Sequence, residues 1–117
     1  MFKNLRFVYI TTSTKDEAKK IGRKLVEERL TACVNIMDGM ESIYRWEGKI
    51  EEDRECVLIA KTTHHNINAL TERVKELHSY DCPCIISLPL SEQEGNEAYQ
   101  QWLIRETRQK KIDYEIR

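Results

Sequence analysis

What the sequence lacks narrows its function before any motif is read. Apolar residues make up 40% of the chain, yet nowhere do they run unbroken for the roughly 20 positions that a membrane-spanning helix needs. Neither sign of charge is in surplus. Nineteen basic side chains meet 20 acidic ones, for a formal net charge of −1, whereas a general nucleic-acid binder needs excess Lys and Arg to displace counterions from phosphates. The four glycines, Gly22, Gly39, Gly48 and Gly95, are isolated, so no glycine-rich loop is present to cradle a phosphate. The opening MFKNLR has neither the apolar stretch nor the small-residue cleavage site of a secretion signal, which predicts a cytoplasmic chain.

What is present describes one domain. A chain of 117 residues is long enough to bury about two-thirds of its extended surface. We read residues 1–117 as a single unit with a core at about 6–107 and a polar tail at 108–117. Four cysteines, Cys33, Cys56, Cys82 and Cys84, allow three pairings on paper, but an adequate core and a reducing cytoplasm predict free thiols.

Hydrophobic periodicity orders the elements. RFVYITT (6–12) reads as a strand covered on both faces. Thr14 with Glu17 fits a capping box, and Ala18, Ile21, Gly22, Leu25 and Arg29 follow at helical spacing, predicting a helix over about 14–30. Cys33 to Met37 resumes a strand. Beyond a bend at Gly39, Ser42, Tyr44 and Trp46 alternate with Ile43 and Arg45, Glu47-Gly48-Lys49 turns the chain, and a run ending in ECVLIAK returns. A helix over 66–78, a strand over 85–88 and a short helix capped by Asn96, with Tyr99, Trp102 and Leu103 inward, complete the chain. This order is α+β, the ferredoxin-like βαββαβ pattern with an extra C-terminal helix. We expect the first and third strands to pair in parallel, with both main helices on one sheet face. The aromatic signature of an RNA-recognition module is absent from ECVLIAK.

The second strand is too long for the domain. Fourteen residues from Cys33 to Trp46 reach about 46 Å, whereas a compact domain of this length is roughly 35 Å across. The hairpin either overhangs, presenting Tyr44 and Trp46 to another subunit in a closed ring, or folds back at Gly39.

Reactive side chains concentrate in HSYDCPC (78–84). His78, Cys82 and Cys84 are suitable ligands for copper or zinc; alternatively, Cys84 is a small core residue and His78 serves a helix C-terminus. A reactive Cys33 or Cys82 would need a nearby base. His64-His65 reads as a solvated connection, and Glu51-Glu52-Asp53 with Glu55, like the basic tail residues Arg105, Arg108, Lys110 and Lys111, as soluble surface.

Taken together, LVEERLTACVNI (25–36), SIYRWEGKIEED (42–53), LIAKT (58–62), HSYDCPCI (78–85) and GNEAYQQWL (95–103) resemble the CutA family of divalent-cation tolerance proteins. The resemblance implies a cytoplasmic homotrimer built like the PII signalling proteins, with hairpins engaging neighbouring subunits. It implies association with copper or another divalent metal, no organic cofactor and no catalytic reaction. Animal members are also linked to acetylcholinesterase assembly. The implied partners are further copies of the chain and metal ions, with no nucleic acid and no membrane. Tyr44, Trp46, Lys61, Tyr80, Asn96 and Trp102 fall on the family pattern, some positions of which line clefts between subunits in relatives, and are the candidates for such a cleft; Lys61 with His78 and Tyr80 is implied to form a pocket for an anion or a metal complex. Departures stand at Ser79 and Cys84. Where copper-binding bacterial members carry a cysteine and adjacent histidines, this chain has Thr11, Leu77 and His78. Cys82 and Cys84 are expected to compensate, shifting preference toward softer ions such as Cu(I).

Overall fold

The computed structural model describes residues 3–108; the tail assigned to 108–117 lies, apart from its first residue, outside them. The element order is β1 (Leu5–Thr12), α1 (Lys15–Glu27), β2 (Cys33–Trp46), β3 (Lys49–Thr63), α2 (Ile67–Leu77), β4 (Ile85–Pro89) and α3 (Glu97–Glu106), with a 3₁₀ turn over His64–Asn66 leading into α2. The four strands form one sheet in the order β2-β3-β1-β4.

Every pairing is antiparallel, which corrects the expected parallel pairing of the first and third strands. The topology requires it. The α1 crossover makes β1 and β2 point the same way, and the tight hairpin reverses β3 against β2, so β3 inserted beside β1 runs opposite to both.

One sheet face carries the main core. Val8 and Ile10 of β1 and Cys56, Leu58 and Ala60 of β3 pack against Ala18, Ile21 and Leu25 of α1 and Leu70 and Val74 of α2. Both main helices thus cover the same face, as expected. A smaller cluster of Leu5, Ala32 and Leu103 seats α3 at the far end of β1. The α1 cap differs by one residue from a reciprocal capping box. Glu17 N–H donates to Thr14 Oγ1 at 3.1 Å, while Glu17 Oε1 accepts from Ser13 N, not Thr14 N, at 3.1 Å. Arg29 adopts φ 59° and ends the helix before the predicted Leu30, and Leu30 N–H bonds back to Leu25 O at 2.9 Å.

The opposite face is largely uncovered. The register places Phe7 and Tyr9 of β1, Val57 and Ile59 of β3, Ile86 and Leu88 of β4 and Met37 of β2 on it. Met37, Ile86 and Leu88 are 55%, 54% and 51% exposed.

The hairpin overhangs rather than folding back. β2 and β3 are continuous over 14 and 15 residues, and the chain measures 53 × 30 × 23 Å. Its radius of gyration of 15.5 Å exceeds the roughly 13 Å of a compact domain this size. Gly39, at φ 80°, does not reverse the strand; it sits in a bulge where three steps from Met37 to Met40 oppose two from Val57 to Glu55. One extra residue inverts side-chain parity. Before the bulge odd-numbered β2 residues share the open face, and after it Met40, Ser42, Tyr44 and Trp46 do, alongside Glu55, Asp53 and Glu51 of β3.

Candidate functional site

The bulge builds a cleft. A cavity of about 830 Å³ lies between the outer half of β2 and the loop from Ser79 to Cys84, and Tyr9, Thr11 and Glu55 also contribute to its walls. Of the cleft residues expected from the sequence, Tyr44, Trp46 and Tyr80 line it together, as do Cys82 and Cys84.

The loop is fixed by three elements at once. His78, which follows the last turn of α2, buries its side chain completely. Its Nδ1 accepts from Tyr80 N–H at 3.0 Å, so the ring proton lies on Nε2, which donates to Thr11 O on β1 at 2.8 Å. Glu17 of α1 takes Ser79 N–H on Oε2 at 2.7 Å while Oε1 holds Ser13. Burial raises the Glu17 pKa, but hydrogen bonds from Ser79 and Ser13 outweigh it and hold the carboxyl below its ordinary value. Tyr80 lies 4.8 Å from the His78 ring, and its hydroxyl donates to Glu55 Oε2 of β3 at 3.0 Å. Burial first, then that carboxylate, pushes the Tyr80 phenol upward.

This arrangement separates groups that the sequence joined. The ring's single lone pair takes Tyr80 N–H, and His78 is not among the residues that line the cleft with Cys82 and Cys84. Nor does it form a pocket with Lys61, which is paired opposite Phe7, four residues and about 13 Å along β1 from Thr11. Lys61 Nζ instead donates to Tyr99 OH at 3.1 Å, and Tyr99 packs against Trp102 at 5.5 Å between centroids. Asn96 is the α3 cap, accepting from Ala98 N–H at 3.0 Å. Trp102 packs on the smaller core. Of the places corresponding to the bacterial copper ligands, Thr11 accepts from His78 through its backbone and Leu77 packs against the main core. Among the described residues, no three His, Cys, Asp or Glu side chains gather as a metal cage.

The acidic run also departs from its reading as plain surface. Tyr44 OH donates to Asp53 Oδ2, a diagonal cross-strand pair, and this hydrogen bond pushes the phenol up to about 12. Sequence reasoning missed Glu17, Glu55 and Met40 as site residues. Their signal lay in the register past the bulge and in the α1–loop contact, neither of which is local in sequence. All four cysteines are free thiols. Burial raises the thiol pKa at Cys56 and Cys84, opposite to what activates a nucleophile.

Comparison with known proteins decides the family. The CutA1 divalent ion tolerance protein family matches residues 6–106. The chain belongs to that family. It is 50% identical over 100 residues to the divalent-cation tolerance protein CutA of Thermus thermophilus, covering 86% of this chain and 95% of that one. The solved Thermus structure superposes with a TM-score of 0.85 at 48% identity, over 89% of this chain and 99% of that one. The CutA of Archaeoglobus fulgidus, named periplasmic, gives a TM-score of 0.84 at 36% identity, over 89% and 99% of the two chains. The chloroplastic CutA 1 of Oryza sativa is 45% identical over 102 residues, covering 87% of this chain but only 56% of that longer protein.

Proposed function

We propose that this divalent-cation tolerance family member works as a cytoplasmic homotrimer that binds metal ions, copper among them, without catalysing a reaction or using an organic cofactor. The observation that carries this reading is the uncovered apolar sheet face, continuous with a hairpin that projects beyond the domain. Half-exposed Met37, Ile86 and Leu88 are surface that a further copy covers at a gain, and a ring closes such contacts without leaving an edge. Free thiols suit a reducing compartment. Light scattering at micromolar concentration is expected to give about three times the 13.9 kDa chain mass. A mass near that of one chain would refute the assembly.

A second reading, a PII-like signalling or scaffolding trimer for a small anionic ligand or a partner protein, is favoured by one observation. The Lys61 ammonium stands beside Tyr99, whose ring packs on Trp102, so a carboxylate or phosphate between subunits would meet charge and aromatic surface there. A ligand-dependent thermal shift abolished by Lys61→Ala would support it, and a shift retained in that variant would exclude Lys61.

A further inference from the structure

The outer edge of β2 carries an apolar step beside an open row of backbone groups. In the order β2-β3-β1-β4 only one side of β2 is paired among the described residues, so over 33–37, ahead of the bulge, N–H and C=O groups point outward. The helix side of this edge is apolar. Val34 and Ile36 are half-buried against the main core. Val26 is 41% exposed and is, among the described residues, the one large apolar side chain that α1 and α2 leave in solvent. It follows Gly22 by one helical turn, and a Cβ at Gly22 would stand 2.9 Å from Val34, so this face of α1 looks onto β2.

Helix α3 delivers the end of the chain to the same place. It starts on the β1 side, where Glu97 pairs with Lys3 at 2.7 Å. It ends beside β3 and β2. Thr107 O accepts from Asn66 Nδ2 at 3.1 Å, just beyond β3, and Arg108 O accepts from Arg29 Nη1 at 3.3 Å, shortly before β2 begins. Because β2 starts at this end of the sheet, a segment continuing from Arg108 along its edge runs parallel to it. Three residues, 109–111, span about 10 Å, whereas the outer edge of β4 lies a further three strand spacings away, about 14 Å.

The segment that follows has the pattern of a strand. Residues 109–117, QKKIDYEIR, lie beyond the family match and the described residues. Within them Ile112, Tyr114 and Ile116 alternate with Asp113, Glu115 and Arg117, the period of a half-buried strand built from residues that favour one. The five positions 112–116 match the five of β2 over 33–37, and the bulge ends the regular edge beyond them.

We propose that residues 112–116 dock on the outer edge of β2 of their own chain as a fifth, parallel strand. Ile112, Tyr114 and Ile116 lie on the helix side against Val26, Val34 and Ile36, and Asp113 and Glu115 lie on the open face beside Cys33 and Asn35. Main-chain hydrogen bonds hold the segment, and its alternate side chains choose the face. The docked strand closes this edge to other chains and leaves the open face and the hairpin available for assembly.

The test is hydrogen–deuterium exchange of the full chain, read by mass spectrometry and compared with the Ile112→Asp/Tyr114→Asp/Ile116→Asp variant. In the unaltered chain, amides over 112–116 should exchange at least about tenfold more slowly than a free chain, and the variant should restore the free rate there and speed exchange over 33–37 by about tenfold. Val26→Asp, at an exposed position, should release the segment in the same way. Free-chain exchange over 112–116 in the unaltered protein, or an unchanged 33–37 in the triple variant, would overturn the proposal. Cross-linking then identifies the chain that is docked. Under mild oxidation, Asp113→Cys should join Cys33 within one chain, and Tyr114→Cys, on the opposite face, should not; a link to Cys33 between chains would assign the edge to a second copy and overturn the proposal.

Discussion

Gly22→Ala is a substitution on which two well-defined effects oppose each other. The residue lies within α1, where alanine is the better helix former by about 1 kcal/mol, so propensity alone predicts stabilisation. The packing says otherwise. A Cβ at position 22 would stand 2.9 Å from Val34 Cγ2 and 3.3 Å from Leu58 Cδ1. Val34 is β-branched with few rotamers to escape into, and it is fixed in β2 opposite Ala60. Forcing an extra carbon into such a contact costs roughly 1–3 kcal/mol. The clash wins, and Gly22→Ala should destabilise by about 1 kcal/mol net. Urea unfolding at fixed protomer concentration reads this as a lowered midpoint with an unchanged slope. A double-mutant cycle with Val34→Ala isolates the cause. With the valine truncated, Gly22→Ala should become neutral or stabilising, giving a coupling of about 1–2 kcal/mol. A stabilising single substitution, or a cycle with no coupling, would show that the close α1–β2 approach does not constrain this position.

Three further perturbations test the site and the open face. The lowered Glu17 pKa means that its contribution to stability is complete above the ordinary carboxylate value of 4.5 and is lost as pH falls through the depressed folded value; Glu17→Gln should flatten that acid limb, and an unchanged limb in an acid unfolding series would refute the assignment. Tyr44 should ionise near 12 in an ultraviolet titration and return toward 10 in Asp53→Asn, whereas no shift on substitution would disprove the pair. Leu88→Glu should lower the assembled mass in light scattering while preserving the circular dichroism of the fold, because a half-exposed position tolerates charge in one chain but burying a carboxylate between chains costs several kcal/mol; an unaltered mass would place the interface elsewhere.

Much of the fold was legible locally. The strands and helices emerged within a few residues of their observed bounds because their apolar spacing is strong. The overhang followed from a length comparison that needed no contacts. The site was less legible, because its side chains meet through register. Asp53 and Glu55 look like solvated charge in a polar run. They become partners of Tyr44 and Tyr80 only after the bulge at Gly39 sets which β2 and β3 residues share a face. His78 looked like a ligand because imidazole often is one. Whether its nitrogens are free depends on Thr11 and Tyr80, and Thr11 lies 67 positions away.

The sequence by itself determined the element order, the helix-covered core face, the thiol inventory and the family motifs. These depend on hydrophobic period and residue identity, which are local. The tertiary structure decided strand direction, the parity switch in β2 and the separation of His78 and Lys61 from the sulfur-lined cleft. These depend on one inserted residue and on hydrogen bonds between distant segments. The scarcity of glycine also takes on a different meaning. Isolated glycines excluded a phosphate cradle, yet at two of them conformation and space matter greatly: Gly39 turns the aromatic side chains of the hairpin toward the cleft, and Gly22 lets α1 approach the sheet closely.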